Sequence, residues 1–156
     1  MLDDFRLLSS KLLRLKNRPY QRALLGENLF QAPMIILLGA RGVGKTTCLV
    51  QHLLSHFPDP DTKKALYLPS DHFLVGQHSL YEIAEQFEHL GGELLAFDEI
   101  HKYPDWSREL KSISDTYPKL KVLASGSSAL EIRRGSHDLS RRAVVGRVPG
   151  WSLREF

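Results

Sequence analysis

A single cysteine, Cys48, stands in the whole chain, so no internal disulfide forms and packing alone must hold the fold, which suits a reducing compartment. Long apolar runs are missing as well. The longest, Met34 to Ala40, stops after seven residues, against the roughly 20 that span a bilayer. The opening MLDDF carries acids where a secretory signal carries bases. Charge of one sign is not in excess: the formal net charge is +3, and the basic residues are spread out apart from Arg133, Arg134, Arg141, Arg142 and Arg147. That is a weak footprint for a nucleic-acid partner. With no repeat and no low-complexity stretch, these absences argue against a disulfide-stapled module, a membrane protein and a disordered tail. A cytoplasmic globular domain with no membrane partner is expected. Its 156 residues, 42% hydrophobic and 25% charged, suffice for a proper core.

What is present is alternation. Residues 2–15 repeat leucines at helical spacing, with Leu8, Leu12 and Leu15 on one side and Asp3 and Asp4 in the first turn, where the helix dipole favours acids. Pro19 ends this helix and a connector follows, so 1–32 reads as an N-terminal helix and connector and 33–156 as the main domain. MIILL reads as a buried strand, TTCLVQHLLSHF as a helix to about Phe57, and ALYLPSD as a strand ending at Asp71. SLYEIAEQFEHL is a helix closed by Gly91 and Gly92, ELLAFDEI is a strand ending in two acids, and Pro104–Tyr117 is a helix. KVLAS is a strand before the turn GSS, and AVVGRV reads as one more. Apolar strands alternating with helices imply α/β architecture: a three-layer P-loop fold whose mainly parallel sheet is covered on both faces.

The chemistry gathers at Gly39 to Thr46, GARGVGKT, directly after MIILL. This fits G-x-x-x-x-G-K-[ST], in which glycine lets successive backbone N–H groups turn inward on a phosphate chain. The backbone of Gly39, Ala40, Arg41, Gly42, Val43 and Gly44 forms the cradle, Lys45 reaches the terminal phosphates, and Thr46 takes a place on Mg²⁺, with Thr47 continuing the contact onto the helix. Downstream, four apolar residues lead into Asp98 and Glu99. At the carboxyl edge of the sheet the first acid can hold Mg²⁺ through water and the second can orient the water attacking a γ-phosphate. No N-K-x-D-like element follows the loop, so ATP is expected rather than GTP.

Ser125 is a candidate for sensing the γ-phosphate, with Ser127 as alternate and a plain turn as the bland reading. That role requires KVLAS to lie between the other two site strands, and the adjacent Asp98 and Glu99 resemble the ATPase branch in which an additional strand stands between the phosphate-loop strand and the acid strand, so that order is expected. His101 is given no catalytic role, and Asp71 and His72 are expected in a turn or helix cap. Arg141 and Arg142 could act as arginine fingers, in cis or from a neighbouring copy, form a solvated basic face, or touch nucleic-acid phosphates.

ILLGARGVGKTT, LLAFDEIHKYPDW, LKSISDTYPKLKVLASGSSAL and LSRRAVVGRVPGWSLREF together resemble the prokaryotic AAA-domain ATPases of the AAA+ superfamily, from about Met34 to Phe156. The resemblance implies Mg-dependent ATP hydrolysis. It puts Gly44, Lys45, Thr46, Asp98 and Glu99 on the family's motif positions, Ser125 on its sensor strand, and Arg141 or Arg142 on the arginine of its L-S-x-R segment. Proteins of that kind are longer, with a helical lid and a C-terminal domain, so this chain is expected to be the ATPase core alone and slow in isolation. Homo-oligomer formation and a protein or nucleic-acid partner are left open. The rival expectation is a non-catalytic switch or adaptor that uses ATP only to order a surface.

Overall fold

The computed structural model describes residues 1–17, 31–39, 44–126, 139 and 142–147. Five strands, β1 (Met34–Leu38), β2 (Ala65–Pro69), β3 (Leu94–Asp98), β4 (Lys121–Gly126) and β5 (Val144–Arg147), form one sheet in the order β2-β3-β4-β1-β5. Every neighbouring pair is parallel. The order sets β4 between β1, which leads into the phosphate loop, and β3, which ends in the acids, as the sequence led us to expect. Parallel strands need crossovers, and these are the helices α2 (Lys45–His56), α3 (Phe73–Gly76), α4 (Leu80–His89) and α5 (Trp106–Thr116), preceded by α1 (Leu2–Lys16).

The strands are apolar throughout because both faces are covered. Met34, Ile36 and Leu38 join Leu80, Ile83 and Phe87 of α4 and Leu110 and Ile113 of α5 in one core. Ile35 and Leu37 join Leu49, Val50 and Leu53 of α2 in the other. A two-residue strand period thus sends alternate side chains into two separate cores. Truncating a side chain of either core, for example Phe87→Ala on α4, costs about 3–5 kcal/mol. Helix α4 begins where the Ser79 hydroxyl accepts the Glu82 N–H at 2.9 Å. At Gly92 any Cβ would lie 2.5 Å from the Phe87 ring, so the chain can leave α4 so closely only with glycine there.

Three local expectations are corrected. The fully buried stripe of α1 is Leu2, Phe5, Ser9, Ser10 and Leu13; of the expected line, Leu8 and Leu12 are half-buried and pack against the two cores, while Leu15 is 62% exposed. The helix lies along the open edge of β2 and straddles it: Leu2 and Phe5 enter one core and Leu13 the other. Second, β3 stops at Asp98, and Glu99 turns into the left-handed region at φ 55° before a single 3-10 turn, Ile100–Lys102. Third, β2 ends at Pro69, short of Asp71. The short helix α3 follows, capped by His72, whose Nδ1 accepts the Leu74 N–H at 3.2 Å.

Candidate functional site

Strand pairing places the site side chains before any contact between them is considered. Tyr67 pairs with Ala96, and Pro69 with Asp98. Tyr67, Leu94, Ala96 and Leu123 all enter the core that α2 covers, so the two-residue period turns Asp98 and Ser125 towards α2 as well. The first turn of α2 carries Lys45 and Thr46. Its start is set by Gly44, whose φ of 91° a side chain would oppose.

Asp98 is the hub. Buried to 4% exposure, its carboxylate accepts from the Thr46 hydroxyl at 2.6 Å, across 52 positions of sequence. The Tyr67 hydroxyl donates to the same oxygen, Oδ2, and the Ser125 hydroxyl to Oδ1. Three O–H donors thereby satisfy a buried carboxylate that would otherwise be costly. Ser125, fully buried, also accepts the Glu99 N–H at 3.0 Å, so one hydroxyl ties the two acids together. Burial and the adjacent Asp98 raise the Tyr67 phenol well above its usual range, which keeps it a donor.

Lys45 is 6% exposed, and its ammonium donates to the Gly39 carbonyl at 2.8 Å. Its burial lowers its pKa, while Glu99 and Asp98 act in the opposite direction. Glu99 differs from Asp98. Its side chain is 30% exposed and its Oε2 lies 2.7 Å from the Lys102 ammonium, which lies 3.6 Å from Asp71. The hydrogen bond to Glu99 is the main cause of the raised Lys102 pKa.

Gly39, Gly44, Lys45, Thr46, Thr47, Asp98, Glu99 and Ser125 therefore gather at the carboxyl edge of β1, β4 and β3. Arg142 does not join them: its Nε donates to Asp115 of α5 at 2.6 Å. Arg147 ends β5 beside Leu38, exposed, one strand over from the loop. Ala40, Arg41, Gly42, Val43, Ser127, Arg133, Arg134 and Arg141 lie outside the described residues. Sequence reading missed Tyr67 and Lys102. A lone hydroxyl in the apolar strand ALYLP, and a lysine three places after the second acid, were the available signals.

The donor set suits a magnesium ion carried by phosphates. One carboxylate and one hydroxyl stand beside a lysine, and among the described residues no group of three or more His, Cys, Asp or Glu comes together. Magnesium is typically held by one or two carboxylates plus substrate phosphates, not by an all-protein cage. Among the described residues no helix is long and apolar enough to cross a membrane.

Residues 31–156 match the family model described as AAA domain. An uncharacterized protein of Methanocaldococcus jannaschii is 31% identical over 132 residues, which cover 79% of this chain and 27% of that protein. The chain thus spans about a quarter of that relative's length. Among solved structures, PCH-2 of C. elegans superposes with a TM-score of 0.52 at 20% identity, over 96% of this chain and 42% of that one. A structure of katanin, described in terms of its self-assembly, gives 0.50 at 21% identity, over 90% and 49%. At these identities the two structures establish the shared fold.

Proposed function

The chain belongs to the AAA domain family, and on that premise we propose that its site binds Mg-ATP and hydrolyses it to ADP and phosphate. The observation that carries this reading is the 2.6 Å hydrogen bond from Thr46 to Asp98, which joins the end of the phosphate loop to the strand-end acid. These two residues would hold the metal, which when bound offsets negative charge on the β- and γ-phosphates. Lys45, with its charge buried at the loop, binds the terminal phosphates. The backbone of Gly39 to Gly44 takes the remaining phosphate oxygens, with Thr47 following on the helix. Glu99 orients a water on the γ-phosphorus and takes its proton. The new P–O bond forms from that water as the bond to the β,γ-bridging oxygen breaks. Ser125, bonded to both acids, reports the state of the γ-phosphate edge to Glu99.

The γ-phosphate still needs a positive group against charge developing in the transition state. Within one chain Arg142 is held by Asp115 and does not reach the site, so on this reading the positive group, Arg141 or Arg142, comes from a neighbouring copy, Arg142 only once its ion pair opens. Turnover by a dilute chain is then slow and rises per chain with protein concentration. The experiment is phosphate release from purified chain across a concentration series, with Glu99→Gln as control. Mixing Glu99→Gln chains with Arg141→Ala/Arg142→Ala chains should restore turnover that neither possesses alone. Phosphate release equal in parent and Glu99→Gln would defeat the hydrolytic reading.

A further inference from the structure

Tyr67 does two things at once. Its hydroxyl donates to Asp98 Oδ2, while its backbone N–H donates to the Ser9 hydroxyl of α1 at 2.8 Å, fully inside the protein. The Lys16 ammonium at the end of α1 lies 5.9 Å from the centre of the Tyr67 ring. β2 pairs with β3 on one side only, so the Tyr67 N–H points out of the sheet and would be an orphan donor without Ser9. A serine as buried as Ser9, at 2% exposure, is costly on a packed helix stripe unless it has such a partner. The helix and the strand-end acid are thus joined through one residue.

We infer that Tyr67 is a positioning residue for Asp98, and that the N-terminal helix, through Ser9, sets it. Helix α1 precedes the 31–156 stretch that the family model covers, so this support belongs to the chain's own N-terminal segment. The inference rests on the reading of Asp98 as the acid that holds the metal. Of the three hydroxyls on the carboxylate, Thr46 is itself assigned to the metal and Ser125 to Glu99. Tyr67 has no assigned ligand of its own: its hydroxyl donates to Asp98 and lies within hydrogen-bonding reach of Thr46, the other residue assigned to the metal. Its part is therefore to fix the plane of the carboxylate, so that the oxygen facing the metal is preset and not found by rotation after binding.

The test separates metal from nucleotide. Binding of a fluorescent ATP analogue is titrated with Mg²⁺ and, separately, in EDTA, for parent, Tyr67→Phe, Ser9→Ala and the double variant, with melting temperatures taken without nucleotide as the folding check. Tyr67→Phe keeps the ring and loses one hydrogen bond to a carboxylate. It should raise the Mg²⁺ concentration for half-saturation roughly tenfold while leaving affinity in EDTA within about twofold. Ser9→Ala should shift the same quantity in the same direction by about threefold, and should add nothing in the Tyr67→Phe background, since its effect passes through the hydroxyl. Parental Mg²⁺ dependence in Tyr67→Phe, or equal losses with and without Mg²⁺, would overturn the role of Tyr67. Full additivity in the double variant would overturn the link to α1. A parent that binds ATP equally with and without Mg²⁺ would instead remove the reading of Asp98 on which all of this stands.

Discussion

Asp98 and Glu99 are neighbours with the same charge, and the structure treats them in opposite ways. Asp98 ends a strand, lies at 4% exposure and is held by hydroxyls from α2, β2 and β4. Glu99 has already left the strand at φ 55°, is 30% exposed, and meets the half-exposed Lys102 ammonium at 2.7 Å. One residue of left-handed backbone makes the difference. Continued as a strand, the alternation would have sent Glu99 to the core lined by α4 and α5, where an unpaired carboxylate is prohibitively costly. The turn keeps it at the rim, while Ser125 anchors its N–H so that the backbone stays put. A buried acid held by three hydroxyls suits static binding of a cation, whereas a rim acid with an anchored backbone and a partly exposed side chain suits work on a water. The same chemical group is thus given two environments by one change in φ, and on the proposed reading two roles.

The comparison breaks most sharply at Glu99. Glu99→Gln removes the base and keeps the shape, so hydrolysis should fall by about 10² to 10⁴-fold while Mg-ATP affinity stays near parental. Single-turnover phosphate release beside equilibrium binding checks both halves. Lys45→Ala should act on binding instead, weakening ATP by on the order of 2–5 kcal/mol, the usual cost of truncating one partner of a buried charged contact. Titration calorimetry measures it. Asp98→Asn comes next: its amide nitrogen cannot accept, so a hydroxyl must turn away, and the Mg²⁺ needed for binding should rise about tenfold or more. Affinity in EDTA should barely move. If Asp98→Asn and Glu99→Gln behaved alike in both assays, the division between the two acids would be lost.

Much of this was legible because it is local. MIILL and LLAFD read as buried strands since both sheet faces are covered, and the G-x-x-x-x-G-K-[ST] spacing is a pattern of sequence alone. The place of β4 between β1 and β3 followed from the acids and the loop taken together. The missed features all depend on what packs against what. Tyr67 looks like any strand aromatic until β2 is paired with β3 and its hydroxyl falls diagonally towards Asp98. Leu15 shares a helical side with Leu8 and Leu12 in sequence, but α1 crosses a sheet edge instead of lying on a face, so the buried stripe is centred on Phe5, Ser9 and Leu13, Leu8 and Leu12 pack at its margin, and Leu15 falls outside. Helix α3 is too short to show a period. Arg142 reads as a free basic residue until α5 brings Asp115 to it.

Lys102 supplies the finest test, because its expected effect is small and has a definite sign. Its ammonium lies between Glu99 and Asp71, at 2.7 and 3.6 Å, and is 46% exposed. Ion pairs this open are worth about 0–1 kcal/mol, which caps the consequence of losing one at roughly fivefold. The sign follows from what the pair does to Glu99. A cation on Oε2 occupies an oxygen that would otherwise take the proton of a water. The Glu99 backbone does not depend on Lys102 for its place, because Ser125 holds the N–H. Lys102→Met should therefore raise turnover by about two- to fivefold with Mg-ATP affinity unchanged. Asp71→Asn, which removes the competing partner and leaves Lys102 more often on Glu99, should lower turnover by a smaller factor. Steady-state phosphate release for both variants decides the matter. A slower Lys102→Met would mean that the lysine places the Glu99 side chain instead of restraining it, and that the rim acid is held as firmly as the buried one.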